Sequence, residues 1–368
     1  MKKISAFVHD LSSNPIVRAH PILHALKNNK FEIEVVGFLI NDKKIFNSYK
    51  DYYSYKTVYI GKSPSIFKII YNSFKIFKYC DGDYIYIFKP LPTTCLPALL
   101  YSFFRKKKII CCDVEDNEIS LKHGNFRKLL KSIWSIKYNY LFHLYFVFKK
   151  KITVANKELQ KKYGGEIIYH GPVFHHDIHS KIKNTNFFLE KNKKFIFFGG
   201  TPRDFKGLEL IKEIIKNPKL KGFKLITAGI NYDDSFTNNK NIKNYKYLGL
   251  LNHREINFVM KQIDIVIIPQ KYDSFSKFQT PAKLLEAMAY KKIIITSDLP
   301  VMREIVGDNN GLILNNLNKE TLIDALLKIS ENEQYFYIKS QNAFEFFKKN
   351  ASLEANKIKY SKIFYGIQ

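Results

Sequence analysis

Short apolar runs alternate with longer amphipathic segments along most of the chain. The apolar runs are uninterrupted, as in "DIVIIPQ" (264–270), and have the length of single strands. Continuous apolar strands that alternate with helices indicate parallel sheets covered by helices on both faces. The predicted strands lie near 3–9, 32–38, 57–60, 84–88, 108–112, 151–154, 166–168, 194–200, 223–229, 245–249, 264–270 and 292–298. The predicted helices lie near 15–28, 65–78, 93–104, 125–147, 156–162, 207–216, 253–261, 281–290 and 301–306.

The pattern indicates two domains. A chain of 368 residues is too long for one ordinary core. The polar stretch 175–194 has no strand signal, and the strand–helix alternation starts again directly after it. A long charged helical pattern, from about 333 to 364, closes the chain. We therefore predict an α/β protein with two doubly wound domains.

The charge balance points to acidic partners. Lys and Arg outnumber Asp and Glu by 60 to 33, which gives a formal net charge of +27. Such an excess favours nucleotides, nucleic acid or an anionic membrane face as partners. The basic residues are dispersed and form no nucleic-acid recognition motif, so nucleic-acid binding is the weaker alternative. Part of the charge reflects a Lys/Asn/Ile-rich composition that serves solubility alone.

Cysteine usage and hydropathy favour a cytoplasmic protein. The four cysteines have no zinc-ligand spacing, and we predict buried free thiols in a reducing compartment. The opening "MKKISAFVHD" has no long apolar core and predicts a first strand rather than a signal peptide. No run reaches the ~18–20 apolar residues that span a bilayer. Segment 125–151 is either a surface-attachment helix for an anionic membrane or an ordinary amphipathic core helix.

A glycine-rich loop opens the second half. In "FFGGTPRDFKGLELI" (197–211), a strand runs into two glycines, then Arg203 and Lys206, and then a helix. Free N–H groups of such a turn, together with two cations, suit a phosphate. The spacing matches neither a dinucleotide fingerprint nor a P-loop. The alternative is a turn made basic by composition.

A second motif places a lysine in the first turn of a helix. In "TPAKLLEAMAY" (280–290), Thr280 is the predicted N-cap and Pro281 the first helical residue. Lys283 and Glu286 are three residues apart and share one helix face. The positive end of a helix repels Lys283 unless an anion lies in front of it. A diphosphate at the mouth, with ribose hydroxyls on Glu286, satisfies both residues; the alternative is a surface ion pair.

In this order and spacing, "GGTPRDFKG", "IVIIPQ", "TPAKLLEAMAYKKIIITSDLPVMREIV" and "NNGLIL" resemble the C-terminal domain of the family 4 (group 1) glycosyltransferases. The resemblance is close over about 194–315 and looser before it. It implies the GT-B fold, in which two Rossmann-like domains face each other across a cleft. The implied domains are an acceptor-binding domain (1–172), a nucleotide-sugar-binding domain (190–345) and a C-terminal helix (346–368) that returns to the first.

The resemblance also assigns roles in the second domain. Lys206 matches the lysine that holds the donor diphosphate, with Arg203 as its helper, and Glu286 matches the second glutamate of an E-x7-E pattern that binds ribose. Phe278 occupies the position of the first glutamate, and Thr201 that of an arginine. The Thr201 departure shifts weight onto Arg203 and Lys283, and the Phe278 departure leaves the contacts with the donor sugar open. The predicted donor site comprises Gly200, Thr201, Arg203, Lys206, Gln279, Thr280, Lys283 and Glu286.

In the first domain the candidates follow the predicted strands. The loop "HDLSSNP" (9–15) offers Ser12 and Asn14 to the sugar, with Arg18 one turn later; the alternative for Asn14 is a simple helix start. Lys89 follows the fourth strand. An acidic cluster after the next strand can bind acceptor hydroxyls or take a proton. Acceptor-side roles are predicted for Ser12, Asn14, Arg18 and Asp116, and catalytic roles for Asp113, Lys89, Arg203 and Lys206.

The resemblance implies a retaining, metal-independent hexosyltransferase in bacterial surface glycan synthesis, with a nucleotide sugar and a lipid-linked or polysaccharide acceptor as substrates. No cofactor and no metal are expected. Two patterns with metal-ligand residue types are rejected: Asp81-Gly82-Asp83 precedes a strand and indicates a turn, and "HGPVFHHDIH" (170–179) lacks zinc spacing. A nucleotide-sugar epimerase with the same fold is the main alternative.

Overall fold

The computed structural model describes residues 1–46, 49–117, 151–174, 192–200, 206–214, 216–229, 244–273 and 276–364. The chain divides into two compact units. The first unit contains Met1–His170 and Asn350–Gln368, and the second contains Gly171–Lys349. The predicted helix 125–147, and with it the candidate attachment segment, lies outside the described residues.

The first unit contains a parallel seven-stranded sheet in the order β3-β2-β1-β4-β5-β6-β7. Its strands are β1 (Lys3–Asp10), β2 (Glu32–Leu39), β3 (Ser54–Tyr59), β4 (Tyr84–Phe88), β5 (Lys108–Val114), β6 (Lys151–Val154) and β7 (Glu166–Ile167). Its described helices are α1 (Pro15–Asn28), α2 (Ile66–Ile76), α3 (Pro92–Phe104) and α4 (Lys157–Tyr163), joined by α11 (Leu353–Ile363) from the end of the chain.

This sheet is buried on both faces, as its continuous apolar strands predict. Ile85 and Ile87 of β4 pack with α2 and α3 on one face. Tyr86 of the same strand points to the opposite face, which α1 and α11 cover. There the hydroxyl oxygens of Tyr86 and Tyr360 lie 3.2 Å apart, so the last helix belongs to the core of the first unit.

The second unit contains a parallel six-stranded sheet in the order β10-β9-β8-β11-β12-β13. Its strands are β8 (Lys194–Gly199), β9 (Phe223–Ala228), β10 (Tyr245–Tyr247), β11 (Ile265–Ile268), β12 (Ile293–Ser297) and β13 (Leu312–Leu314). Its described helices are α5 (Leu208–Ile214), α6 (His253–Gln262), α7 (Ala282–Ala289), α8 (Pro300–Ile305), α9 (Lys319–Glu331) and α10 (Glu333–Asn350).

The last part of the chain differs from the prediction. The helical pattern 333–364 forms two helices, because α10 ends at Asn350 and the Ser352 hydroxyl caps α11 by accepting from the Ala355 N–H at 3.1 Å. Strand β13 and helix α9 were not predicted as elements. The signal for α9 is present, since Asn318 and Thr321 form a capping box at its start.

All four cysteines are free and buried, which confirms the prediction of buried thiols. Within the described residues, no helix combines the length and the hydropathy needed to cross a bilayer.

Candidate active site

Each sheet reverses its strand order at one point. In the first unit β1 and β4 are neighbours, and in the second β8 and β11 are neighbours. In open parallel sheets, ligands bind at the carboxyl ends of the strands where this reversal occurs. Three of the predicted candidates, Ser12, Lys89 and Lys206, lie on the loops that follow these strands.

In the second unit, Gly200 lies directly after β8 and brings two lysines together. Its φ is +112°, which favours glycine, and its N–H donates to the Ala228 carbonyl at 2.8 Å. A Cβ atom added to Gly200 would lie 3.5 Å from the Nζ atoms of both Lys206 and Lys283. Since both nitrogens lie 3.5 Å from one point, they are no more than 7 Å apart. The sequence prediction that these loops converge is confirmed for these three residues.

Lys283 lies in the first turn of α7, although the start of this helix differs from the prediction. Pro281, rather than Thr280, is the N-cap residue, so Lys283 is the second residue of the helix. Its ammonium group donates to the Gly199 carbonyl and lies 4.7 Å from the centroid of the Phe198 ring.

The folded protein destabilises the ionised form of Lys283. Burial and, to a smaller extent, the positive charge of Lys206 lower the pKa of Lys283 to about 7, although Glu286 acts in the opposite direction. Two ammonium groups this close repel each other unless an anion lies between them. The arrangement therefore favours a bound anion over an empty site.

Glu286 follows one turn later on α7 and is partly buried. Its charge also acts on Tyr290, whose pKa is raised mainly by burial and further by Glu286. Glu286 thus lies close enough to Lys283 to interact with it, as the shared helix face predicts. A carboxylate here can accept hydrogen bonds from vicinal hydroxyls of a ligand.

Gln270 is a site residue that the sequence analysis did not identify. It follows β11 at the reversal point, is only 3% exposed, and donates from Nε2 to Oε1 of Gln279 at 3.1 Å. Its own Oε1 is buried with no hydrogen-bond partner among the described residues. Gln279 was a predicted site residue, and Thr280 beside it is 6% exposed. The position of Gln270 at the carboxyl end of a central strand was the available signal.

Gly207 fixes the beginning of α5 against β11. Its φ is +71°, and a Cβ atom there would lie 2.2 Å from the Pro269 carbonyl oxygen. Only glycine allows this approach, which positions Lys206 beside Gly200. Thr201 and Arg203 lie outside the described residues, so their predicted roles remain predictions.

In the first unit, the loop after β1 is organised by Asp10. The Asp10 carboxylate accepts hydrogen bonds from Ser12 N–H (3.0 Å), Ser12 Oγ (2.6 Å), Ser13 Oγ (2.5 Å), Ile40 N–H (3.0 Å) and Asn41 Nδ2 (2.7 Å). Burial acts to raise the pKa of Asp10, but these hydrogen bonds hold it below its usual value. Ser12 is therefore part of the loop scaffold, and its predicted contact with a sugar is corrected to this role.

Asn14 is exposed and forms the N-cap of α1 without a side-chain capping bond. This matches the alternative in which Asn14-Pro15 simply starts the helix.

Arg18 and Asp113 form a buried ion pair, which corrects two further predictions. Arg18 Nε and Nη2 each donate to one Asp113 oxygen at 2.7 Å, and the two side chains are 2% and 1% exposed. Thr153 Oγ1 also donates to Asp113 at 2.7 Å, while Arg18 donates to His170 Nδ1 at 2.8 Å. Because both carboxylate oxygens accept hydrogen bonds inside the first unit, the predicted catalytic role of Asp113 is corrected to a structural one. Arg18 likewise faces the interior rather than an acceptor.

Lys89 carries a polar cluster at the reversal point of the first sheet. Its φ of +59° turns the chain after β4, and its Nζ lies 2.9 Å from Asp116 Oδ2 and 3.2 Å from Glu115 Oε2. Burial raises the pKa of Glu115 to about 7, against the attraction of Lys89. Lys89 and Asp116 were predicted site residues, and the structure brings them together.

His9 joins this cluster from the end of β1 and was not singled out from the sequence. Its Nδ1 lies 2.6 Å from Thr93 Oγ1, and burial, with a smaller contribution from Lys89, lowers its pKa to about 4. His9 is therefore neutral at physiological pH. A neutral histidine, a lysine and two carboxylates together offer hydrogen bonds to hydroxyl groups.

Of the two patterns rejected as metal sites, the structure describes one in full and the other only in part. Asp81 and Asp83 lie before β4 and pair with Lys3, whose Nζ is 2.7 Å from Asp81 Oδ1 and whose N–H donates to Asp83 at 3.0 Å. This confirms that the segment precedes a strand, at the amino end of the sheet, although only Asp83 forms a bend and no turn is present at these three residues. Most of the segment 170–179 lies outside the described part. Within that part, no group of three or more His, Cys, Asp or Glu side chains is arranged to hold a metal ion.

Comparison with known proteins gives a family match for most of the second unit. Residues 180–350 match the model of the family described as "Glycosyl transferases group 1". An uncharacterized glycosyltransferase of Methanocaldococcus jannaschii is 29% identical over 182 residues, which cover 47% of this chain and 45% of that protein. The match thus spans less than half of the length of this relative.

Two solved structures establish the fold of the chain. Anabaena HepE in complex with UDP-glucose has a TM-score of 0.68 at 12% identity, over 98% of this chain and 99% of its own. A putative UDP-N-acetylglucosamine 2-epimerase from Listeria monocytogenes has a TM-score of 0.63 at 13% identity, over 100% and 97%. The chain therefore has the GT-B fold, and its residues 180–350 match the model of the group 1 glycosyltransferases.

Proposed function

We propose that the chain is a retaining glycosyltransferase that transfers a hexose from a nucleoside diphosphate sugar to a glycan or lipid-linked acceptor. The convergence of Lys206 and Lys283 on Gly200 carries this proposal. The two cations, the free N–H groups at the start of α7 and the φ-positive glycine form a site for a diphosphate. The family match over the same residues supports this reading.

The donor is assigned to the second unit. Its diphosphate lies against Lys206 and Lys283, and its ribose hydroxyls donate to Glu286. The predicted helper Arg203 adds a third cation. UDP is the first nucleotide to test, because UDP or a UDP-sugar accompanies the names of proteins with the same fold.

The acceptor is assigned to the first unit. Lys89, Glu115, Asp116 and neutral His9 offer donors and acceptors for hydroxyl groups at the reversal point of that sheet. In the transfer step, the bond between the sugar C1 and the diphosphate oxygen breaks, and the acceptor oxygen bonds to C1 on the same face. The acceptor proton passes to an oxygen of the departing diphosphate, as the family resemblance implies.

The charge that develops on the leaving diphosphate determines what catalysis requires. Lys206 and Lys283 are fixed close to it, so they stabilise the charge without reorganisation during the reaction. We propose that these groups, with Arg203, make a divalent metal unnecessary. Turnover that persists in EDTA supports this part of the proposal, and full dependence on an added divalent ion contradicts it.

An epimerase is the second candidate, and the similarity of fold to the Listeria protein favours it. Both reactions use a nucleotide sugar, so binding of UDP does not separate them. Release of free nucleotide separates them, because a transferase releases it only when an acceptor is present. Conversion of the sugar with no nucleotide released supports the epimerase instead.

A thermal-shift screen tests the donor assignment. UDP, GDP, ADP and CMP are each added to the wild type and to the variants Lys206→Ala and Glu286→Ala. We expect one nucleoside diphosphate to raise the melting temperature of the wild type and CMP to have little effect. We expect the shift to fall sharply in both variants. If no nucleotide shifts the wild type, the donor assignment is wrong.

The cellular location and the biosynthetic role of the protein also belong to the proposal. A cytoplasmic location at the inner face of a membrane, in bacterial polysaccharide, capsule or lipopolysaccharide synthesis, is compatible with a basic protein that uses a lipid-linked acceptor. The attachment segment predicted for this purpose, 125–151, stays a prediction.

A further inference from the structure

Helix α2 packs Ile69 and Ile76 into the core and carries a second apolar stripe that is exposed. Phe67, Ile70, Tyr71 and Phe74 follow the i, i+3, i+4, i+7 spacing of one helix face, and they are 80%, 38%, 61% and 42% exposed. The opposite face is buried and includes two polar residues, Asn72 and Ser73.

The polar residues of the buried face need no outside partner. Asn72 Nδ2 donates to the Lys68 carbonyl at 2.8 Å, and Ser73 Oγ donates to the Ile69 carbonyl at 2.7 Å. Both groups are satisfied within the helix, so the helix can bury them. The exposed aromatic stripe is consequently a feature of this packing rather than a sign of a misplaced helix.

The end of α3 extends this apolar surface. Phe103 and Phe104 are 79% and 55% exposed. The Phe104 ring lies 6.3 Å from the ring of Phe74 and 5.5 Å from that of Phe77, which joins the two helices. The α2–α3 patch is defined here as Phe67, Ile70, Tyr71, Phe74, Phe103 and Phe104.

Basic residues surround the α2–α3 patch. Neither 61–80 nor 99–110 contains an acidic residue. Lys75 Nζ lies 4.4 Å from the centroid of the Tyr71 ring, so a cation sits directly on an exposed aromatic side chain. The exposed basic residues in these segments are Lys62, Lys68, Lys75, Lys78, Arg105, Lys106 and Lys108.

We propose that the α2–α3 patch docks the first unit onto an anionic lipid bilayer. Exposed aromatic and aliphatic side chains flanked by lysines are the chemistry of an interfacial helix, whose apolar face enters the boundary between headgroups and acyl chains. Lysines at the edge of the patch contact lipid phosphates. This proposal does not rest on the proposed transferase activity.

Charge selects the bilayer over a second copy of the chain. Two copies that met through this patch would bring two sets of lysines and arginines together without acidic partners, and like charges oppose that contact. An anionic bilayer offers the opposite charge over the whole patch. The docking surface is thus complementary to lipid in both hydrophobicity and charge.

The test uses the full chain in cosedimentation with vesicles. Vesicles contain either phosphatidylcholine alone or an equal mixture with phosphatidylglycerol. We expect binding to the mixed vesicles, much weaker binding to phosphatidylcholine alone, and loss of binding in high salt because the lysine contribution is screened. Wild-type protein that fails to bind the anionic vesicles at low salt overturns the proposal.

A matched pair of variants tests the apolar contribution. Phe67→Ser/Phe103→Ser should weaken partitioning by at least roughly tenfold, since each phenylalanine loses its apolar burial in the interface. The control Tyr335→Ser/Tyr337→Ser removes two rings that are 56% and 57% exposed in the second unit, and it should leave partitioning unchanged. Equal losses in both variants contradict the assignment of the surface. Since all four side chains are exposed, circular dichroism should show the same fold throughout.

A second pair tests the charge. Lys75→Ala/Lys106→Ala should reduce binding at low salt by about fivefold for each lysine removed. The control Lys328→Ala/Lys349→Ala removes two exposed lysines of the second unit and should have little effect. Light scattering without vesicles tests the alternative that a second copy of the chain covers the patch. A dimer that Phe67→Ser/Phe103→Ser dissociates, in a protein that does not bind vesicles, would assign the patch to self-association.

Discussion

Replacing Lys283 by methionine should stabilise the ligand-free protein while it removes binding of the diphosphate. Methionine keeps an unbranched side chain of similar length but carries no charge. In the wild type, burial and Lys206 hold the pKa of Lys283 at about 7, against 10.5 for an ordinary lysine. The ionised form of Lys283 is therefore destabilised in the folded protein, since Glu286 offsets only part of the effect of burial and Lys206.

The magnitude follows from that shift in pKa. Each pKa unit corresponds to about 1.4 kcal/mol, so the shift from 10.5 to about 7 costs the folded state at most about 5 kcal/mol at pH 7. Methionine also loses the hydrogen bond to Gly199, worth about 1 kcal/mol. We expect the variant to exceed the wild type in free energy of unfolding by about 2–4 kcal/mol at pH 7.

The same shift in pKa determines how the free energy of unfolding changes with pH. Because the folded pKa lies below the unfolded one, the unfolded state holds more protons between about pH 7 and pH 10.5, and wild-type stability rises with pH in this window. At pH 9 only about 1.5 pH units separate the solution from the unfolded pKa of 10.5, so the cost to the wild type is smaller than at pH 7. The stability advantage of the methionine variant should therefore shrink by about 2 kcal/mol between pH 7 and pH 9.

Urea denaturation at pH 7 and pH 9, with and without UDP, measures these quantities. The control is Lys328→Met, at an exposed lysine of α9, for which we expect changes within about 0.5 kcal/mol. UDP should stabilise the wild type and the control but not Lys283→Met. A Lys283→Met protein that is less stable than the wild type at both pH values, or that responds to UDP as the wild type does, would refute the reasoning.

Two further predictions concern the scaffold of the site. Arg18→Met should cost about 3–5 kcal/mol of stability in chemical denaturation, because it leaves the buried Asp113 carboxylate without its partner; a loss below 1 kcal/mol would mean that the pair is not buried. Gly207→Ala should cost about 2–4 kcal/mol, since the methyl group meets the Pro269 carbonyl, and should weaken UDP binding in calorimetry. Gly249→Ala is its control, because its φ of +74° is also positive but no atom lies within 4 Å of an added Cβ atom, and it should cost only about 1–2 kcal/mol.

Hydrophobic pattern was sufficient for most of the fold. Strands such as β8 and β11 are apolar runs between loops, so their positions follow from the residues alone, although β11 is shorter than the predicted 264–270. Strand β13 is only three residues long, and the pattern that contains it also fits a loop. The break between α10 and α11 depends on one serine cap within a continuous charged pattern, which periodicity does not register.

The site was predictable where its groups lie close together along the chain. Lys283 and Glu286 share a helix face by spacing alone, and the structure places Lys283 as that spacing requires. The role of Asp113 was not predictable, because its partner Arg18 lies 95 residues earlier in the sequence. Until the fold brings β5 next to the first turn of α1, a carboxylate near the end of a strand looks equally suited to catalysis and to an ion pair.

Helix α2 shows a different limit of prediction from hydrophobic periodicity. Its periodicity correctly predicts a helix, but the same periodicity predicts that the apolar stripe faces the core. The structure places this stripe outward, because the opposite face packs Ile69 and Ile76 into the core and satisfies its polar groups within the helix. Conflicts of this kind between pattern and burial are more informative about function than agreement.

The most direct test of the central claim is a crystal structure of the chain with UDP. We predict that oxygens of the diphosphate lie about 3 Å from the Nζ atoms of both Lys206 and Lys283, with the ribose hydroxyls on Glu286. UDP bound elsewhere on the chain, with these two lysines still facing each other across an empty site, would contradict the account.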